Sequence, residues 1–77
     1  MDRRQRIITV LQSVSEKGGV PAADESLFDS GYLDSFALAD MVSALEKEFG
    51  IKIPDSDLNP RKFESIDRID QYLETRA

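Results

Sequence analysis

The sequence predicts an all-α fold, a small bundle of three main helices and one short helix in a single domain that covers residues 1–77. Three segments repeat apolar residues at the 3.6-residue period of an amphipathic helix. The one alternating run, Ile51 and Ile53 before Pro54, is too short to imply a sheet. A domain of 77 residues has a thin core, because so small a chain hides only about 60% of the surface that its unfolded form exposes.

The first helix is expected from about residue 3 to residue 17, before the stop signal Gly18-Gly19. Its apolar stretch is short and interrupted by polar residues, and no small-residue cleavage site follows, so it is an amphipathic helix and not a signal peptide. Its apolar positions are Ile7, Ile8, Leu11 and Val14.

A connection of sixteen residues follows, "GGVPAADESLFDSGYL", with no clean period. Connections of this length are usually functional or anchored by their own side chains. We expect Leu27, Phe28 and Leu33 to be the anchors.

The second helix has the clearest apolar stripe, and it ends at Gly50. With Asp34 as its N-cap, Leu33 and Leu38 occupy the two positions of a hydrophobic staple. Ser35 is then the first helical residue, and capping does not require its hydroxyl. A free hydroxyl at a helix N-terminus is a suitable carrier of a phosphate, because unpaired N–H groups and the helix dipole favour an anion.

The rest of the chain predicts a short helical turn and a third helix. Asp55 or Ser56 begins the turn, Pro60 and Phe63 follow closely, and Ser65 caps the last helix. Ile51 and Ile53 are expected to fill the core from a loop, and the last helix turns Ile66, Ile69, Tyr72 and Leu73 to one face. Apolar stripe positions are assigned to the core, among them Ile7, Leu11, Met41, Leu45, Phe49, Ile69 and Tyr72.

The composition excludes several kinds of chemistry. The chain has no histidine and no cysteine, so Ser-His and Cys-His triads, disulfides and thiolate metal sites cannot form. Glu46 and Glu48 do not share a helix face, since positions two apart point in different directions. If Ser35 reacts, another protein supplies the base, so the chain is expected not to be an enzyme.

Negative charge is concentrated in the middle of the chain. Two lysines, Lys47 and Lys52, stand against nine acids there: Asp24, Glu25, Asp29, Asp34, Asp40, Glu46, Glu48, Asp55 and Asp57. Such a surface repels nucleic acid and favours partners with basic docking surfaces. The segment "DSDLN" imitates a calcium loop, but Pro60 and Ile66 occupy the positions that require Gly and Glu, so no metal site is expected.

The stretch "FDSGYLDSFALADMVSALEKEFGIKIPDSDL" resembles the central part of an acyl carrier protein or of a related peptidyl or aminoacyl carrier domain. Asp34-Ser35-Phe36 matches the Asp-Ser-Leu attachment motif of that family, with Phe in place of Leu. "FESIDRIDQYL" matches its final helix, so the likeness covers nearly the whole chain and is most specific over residues 28–54.

The resemblance implies a four-helix bundle of the acyl-carrier type, working as a stand-alone, monomeric, cytoplasmic carrier. Ser35 would receive 4′-phosphopantetheine from coenzyme A through a magnesium-dependent phosphopantetheinyl transferase, and cargo would be held as a thioester on the arm. A loading ligase or acyltransferase and downstream synthases would be the other partners. The family's docking surface implies these residues on the second helix and before it: Asp34, Phe36, Asp40, Met41, Glu46 and Glu48.

Departures from the fatty-acid type leave the cargo open. Ala37, Leu38 and Ala39 follow the motif where further acids or hydroxyls are usual, and Arg61-Lys62 interrupts the acidic surface. Fatty acyl groups, polyketide extender units and amino acids all remain candidates. An acidic helical adaptor that is never modified is the alternative function.

Overall fold

The computed structural model describes residues 2–15, 17–34 and 36–76, and within them it is all helical, which confirms the predicted fold class. The helices are α1 (Arg3–Val14), α2 (Ala37–Phe49) and α3 (Ile66–Arg76). The predicted short helix is instead two 3-10 turns, Asp55–Asp57 and Pro60–Phe63.

Helix α1 begins at a side-chain cap and ends earlier than its sequence predicts. Asp2 accepts a hydrogen bond from the N–H of Gln5 at 2.8 Å. The helix ends at Val14, not near residue 17, because Ser15 is already extended, with φ −88° and ψ 137°. The Ser15 hydroxyl donates to the carbonyl of Tyr32 at 2.8 Å, so a contact between distant segments replaces the next helical turn.

The long connection between α1 and α2 is anchored by its own side chains, as predicted. Leu27 and Leu33 are buried and Phe28 packs partly buried against the core. Tyr32 is a fourth anchor that the sequence did not reveal: its ring is buried and its hydroxyl donates to the carbonyl of Gly19 at 2.9 Å. These contacts make the connection a defined part of the molecule.

Helix α2 has the predicted stop and a capping bond from Asp34, but its regular turns begin at Ala37, with Phe36 as the flanking residue, later than the sequence predicts. The carboxylate of Asp34 accepts from the N–H of Ala37 at 2.9 Å. At the other end Gly50 adopts the left-handed conformation, with φ 63°, and its N–H donates to the carbonyl of Glu46. The prediction that Ser35 is the first helical residue lies outside the described residues.

The third helix is capped as predicted, since Ser65 Oγ accepts from the N–H of Arg68 at 3.2 Å. Tyr72 is half-buried, and its ring meets the fully buried ring of Phe63 edge to face with centroids 5.0 Å apart. Ile53 is buried and Ile51 half-buried, so both isoleucines contribute to the core from a loop.

One core joins the three helices, the long connection, the loop after α2 and the second 3-10 turn. Helices α1 and α2 pack antiparallel, since Val14 and Ala37 line one groove while Arg6 and Phe49 line another. The start of α2 therefore lies beside the end of α1. The buried apolar side chains are Ile7, Val10, Leu11, Leu27, Tyr32, Leu33, Met41, Val42, Leu45, Ile53, Phe63, Ile66, Ile69 and Leu73.

Candidate functional site

The candidate attachment residue, Ser35, lies outside the described residues, but its two chain neighbours are described. Asp34 is exposed while its carboxylate caps Ala37. Phe36 is 87% exposed, which is unusual for a large aromatic side chain in so small a domain. Both neighbours therefore lie on the surface at the start of α2.

A groove of about 450 Å³ runs along this surface, between the end of α1, the end of the long connection and the start of α2. Another groove, of about 260 Å³, is smaller and lies beside Arg6 and Phe49. The lining residues of the larger groove are Val14, Ser15, Lys17, Gly31, Tyr32, Leu33, Asp34, Phe36, Ala37 and Asp40.

The local sequence shapes one wall of the groove through Gly31 and Ser15. Gly31 has φ 82°, a left-handed conformation that glycine adopts without the steric cost of a side chain. The Ser15 hydroxyl, bonded to the carbonyl of Tyr32, holds the end of α1 against the same wall. The groove is therefore built by residues that are far apart in the sequence.

Opposite charges line the groove. Asp34 and Asp40 bring two carboxylates to its α2 side, and Lys17 is the one cation among its described lining residues. An exposed aromatic side chain, Phe36, borders the same surface. The arrangement is suited to contact another molecule, and the chain has no histidine, the commonest general base, to place there.

Three of the six predicted docking residues meet at this groove, namely Asp34, Phe36 and Asp40. The prediction that Met41 supplies a docking contact is wrong, because its side chain is fully buried. Met41 lies three residues from Leu38 and four from Leu45, on the apolar face that α2 turns to the core.

Glu46 and Glu48 lie toward the other end of α2, away from the groove. Glu46 accepts from the N–H of Ile53 at 2.7 Å and thereby holds the loop that follows the helix. Glu48 pairs with Arg6 at 2.8 Å. Both carboxylates serve contacts within the chain, and their docking role stays a prediction.

Sequence reasoning did not anticipate Ser15, Lys17 and Tyr32 as groove residues. No sequence pattern near Lys17 predicts that it lines the groove, because its position there depends on the path of the long connection. Gly31 is the one sequence clue, because a glycine shortly before a helix suggests a turn that brings the chain close to another segment.

A second polar cluster, at Asp57, is structural. Its carboxylate accepts from the hydroxyl of Tyr72 at 2.7 Å and from the ammonium of Lys62 at 3.1 Å, and it pairs with Arg76. The hydrogen bond from Tyr72, followed by that from Lys62, lowers the pKa of Asp57 to about 2. Asp57 lies in the segment that imitates a calcium loop, and its carboxylate instead makes these contacts within the bundle.

Within the described residues, no helix has the length and apolar character needed to cross a membrane.

The arginines at the start of the chain are paired with acids near its end: Arg3 and Arg4 form ion pairs with Asp67, Asp70 and Glu74 of α3. The basic start of the sequence is therefore no free cationic patch, and the acids around the groove are not balanced by it.

Comparison with known proteins gives a family and several relatives. The family model described as "Phosphopantetheine attachment site" matches residues 5–72. D-alanyl carrier proteins of Lactobacillus acidophilus and Lactobacillus helveticus are each 28% identical over 75 residues, covering 97% of this chain and 95% of theirs. The D-alanyl carrier protein of Streptococcus pyogenes serotype M1 is 37% identical over 51 residues, 66% of this chain and 65% of its own.

Proposed function

Because the chain belongs to the phosphopantetheine-attachment family of carrier proteins, we propose that Ser35 bears the phosphopantetheine and that the cargo is an amino acid. The protein is a carrier on which other enzymes act, and its cofactor is covalently bound phosphopantetheine. We further propose that residues 1–77 work as one carrier domain.

The position of the motif supports Ser35 as the attachment residue. Asp34-Ser35 stands directly before α2, and the carboxylate of Asp34 already caps the N–H of Ala37. A serine that is not required for the cap is free to be esterified. This is the observation on which the assignment rests most directly.

The described residues around position 35 suit such a group. The flanking side chains are exposed, the groove beside them has room for part of an arm, and Lys17 offers a cation for a phosphate. When bound, phosphopantetheine supplies a terminal thiol that holds an acyl group as a thioester. The chain's own residues provide the anchoring helix end, the groove wall and the surface that partners contact.

The relatives support an aminoacyl cargo over a fatty acyl or polyketide one. Two relatives that span 97% of this chain are named for D-alanine. We therefore propose a small amino acid, D-alanine first, loaded by a ligase after a phosphopantetheinyl transferase has attached the arm.

The attachment is tested by intact mass after incubation with coenzyme A, magnesium and a broad-specificity transferase. The wild-type chain should gain one phosphopantetheinyl group, while Ser35→Ala should gain none. Ser30→Ala is the matched control, since Ser30 is exposed and lies five residues away. A full gain on Ser35→Ala would refute the assignment and place the group on another residue, whereas a wild-type chain that gains nothing would favour the unmodified adaptor.

The cargo is tested on the chain that already carries phosphopantetheine, with a D-alanine ligase of the kind that charges D-alanyl carriers. We expect charging with D-alanine and no charging when a fatty acyl ligase and a fatty acid are supplied. The opposite result would refute the aminoacyl cargo and leave the attachment at Ser35 intact.

We propose that partners dock at the acidic rim of the groove through Asp34 and Asp40. Asp34→Asn is the informative variant, because Asn keeps the acceptor for the Ala37 N–H while it removes the charge. At low salt, Asp34→Asn and Asp40→Asn should slow the attachment of phosphopantetheine by up to about fivefold, which is the range of an exposed ion pair. High salt should narrow the difference in rate between these variants and wild type. Asp24→Asn, an exposed acid outside the groove, should load at the wild-type rate.

The apolar part of the same surface is tested by two variants. Phe36→Ala should slow loading without changing stability, because the ring is exposed. Met41→Leu should load normally and cost less than about 1.5 kcal/mol of stability, as a volume-conserving core change does. Equal loading by wild type, Asp34→Asn, Asp40→Asn and Phe36→Ala at low salt would contradict this docking surface.

A further inference from the structure

We propose that Lys17 holds the phosphate of the arm, so that its ammonium pairs with the phosphodiester at position 35. The inference rests on the proposed attachment at Ser35, and it assigns a role to a residue outside the attachment motif. It concerns how the arm is held, not how it is attached.

The backbone of Lys17 is fixed at the groove by Ser15. The N–H of Lys17 donates to Ser15 Oγ at 3.1 Å, while the same hydroxyl donates to the carbonyl of Tyr32 at 2.8 Å. One serine therefore ties the residues just after α1 to the segment that leads into the attachment motif. Because of this tie, Lys17 lies beside the motif although it precedes position 35 by eighteen residues in the sequence.

The side chain of Lys17 reaches across the groove wall at Gly31. Its Nζ lies 3.4 Å from the point where a Cβ on Gly31 would stand. Since Gly31 has no side chain, the ammonium can lie directly over the backbone that precedes Leu33 and Asp34. Asp34 and Phe36, the two neighbours of position 35, line the same groove.

The charges of the groove require a cation there once a phosphodiester is attached. Asp34 and Asp40 are the other charged residues that line it, so the new anion would stand near two carboxylates. Lys17 forms no ion pair with any other described residue, and its ammonium is a compact charge of the kind that pairs with phosphate. Among its described lining residues the groove thus holds one cation, on the same surface as the two neighbours of position 35.

The test is ³¹P NMR of the loaded protein, whose phosphodiester is the observed nucleus. Wild type, Lys17→Ala, Lys17→Arg and Lys52→Ala are each loaded until intact mass shows one phosphopantetheinyl group. Lys52 is the matched control, an exposed lysine after α2 that does not line the groove. The chemical shift and transverse relaxation rate of the phosphorus are then followed as sodium chloride is raised.

We expect the phosphorus of Lys17→Ala to relax more slowly and to lose its dependence on salt. An exposed ion pair favours the held arm over the free arm by up to about fivefold, so the change should be partial and measurable. Lys52→Ala should match wild type, Lys17→Arg should retain the salt dependence, and high salt should bring wild type toward Lys17→Ala.

Identical relaxation and salt response in loaded wild type and loaded Lys17→Ala would overturn the role of Lys17. That result would not affect the proposed function, because the mass gain is measured first on the same samples. A wild-type chain that gains no group would instead refute the attachment itself.

Discussion

A single carboxylate, that of Asp57, connects the first 3-10 turn to the second turn and to α3. Its side chain is only 16% exposed, and it takes hydrogen bonds from Tyr72 and Lys62 as well as an ion pair with Arg76. The cations of Lys62 and Arg76 also lie over the ring of Tyr72, at 5.9 and 5.4 Å from its centroid. One ionised residue therefore holds together a part of the chain that has little regular structure.

Replacing this carboxylate should make stability depend differently on pH. The pKa of Asp57 falls from an ordinary 3.8 to about 2 in the folded protein, so its contribution is present above the unfolded value and lost as pH falls through the folded one. The melting temperature of wild type should exceed that of Asp57→Asn at pH 7. The gap should shrink between about pH 4 and pH 2, as measured by circular dichroism, and a gap that stayed constant over this range would contradict the assignment.

At the scale of the element, α2 is defined by residues at its two ends. Asp34 supplies an acceptor before the first turn, and Gly50 supplies the left-handed residue after the last one. Each of these two residues lies close in sequence to the helix end that it defines. The groove and the proposed docking surface both depend on where this helix starts, so Asp34 would serve both the structure and the proposed recognition.

The stop at Gly50 predicts a stability cost that is purely conformational. A Cβ at Gly50 would meet no atom within 4 Å, so Gly50→Ala creates no clash. The left-handed conformation, φ 63°, still costs an L-residue about 1–2 kcal/mol. Urea unfolding should show that loss for Gly50→Ala and a smaller one for Gly50→Asn, since Asn tolerates this conformation; equal stability of wild type and Gly50→Ala would be inconsistent with this end of α2.

At the scale of the whole molecule, the bundle depends on a residue outside its main helices. Phe63 belongs to a four-residue 3-10 turn, yet it is fully buried and packs edge to face on Tyr72. A thin core leaves few other residues to compensate for its loss. The turn is therefore part of the packing and not merely a connection.

Phe63→Ala should be among the most damaging substitutions in the chain. Truncating a buried Phe costs about 3–5 kcal/mol, and each kcal/mol lowers the melting temperature of a domain this size by about 4–8 °C. We expect a fall of more than about 10 °C in a thermal melt followed at 222 nm, and a smaller one for Phe63→Leu. A melt within a few degrees of wild type would show that the turn is dispensable.

The sequence predicts what depends on neighbouring residues and misses what depends on distant ones. The cap at Ser65 and the stop at Gly50 are local, and both are confirmed. The Asp34 carboxylate accepts from the N–H of Ala37 as expected, although α2 itself begins at Ala37. Helix α1 ends earlier than its local sequence predicts, because the hydrogen bond from Ser15 to Tyr32 joins residues seventeen apart. No local sequence pattern predicts a hydrogen bond of this kind.

The residues of the candidate site divide in the same way into those that local sequence predicts and those that it does not. The motif residues Asp34 and Phe36 and the acid Asp40 could be selected from sequence, and the structure brings them to one groove. Met41 is buried and is no docking residue, as its position in the apolar stripe of α2 already indicates. Lys17 could not be selected, because its approach to Gly31 follows from the path of the long connection.

The antiparallel pairing of α1 and α2 has a practical consequence for labelling. Twelve residues of α1, about 18 Å of helix, separate its first turn from the end that borders position 35. A fluorophore or a biotin coupled ahead of Asp2 would leave the modification end clear. The carrier can thus be immobilised on a sensor chip through its start while the proposed attachment end stays accessible at the opposite end of α1.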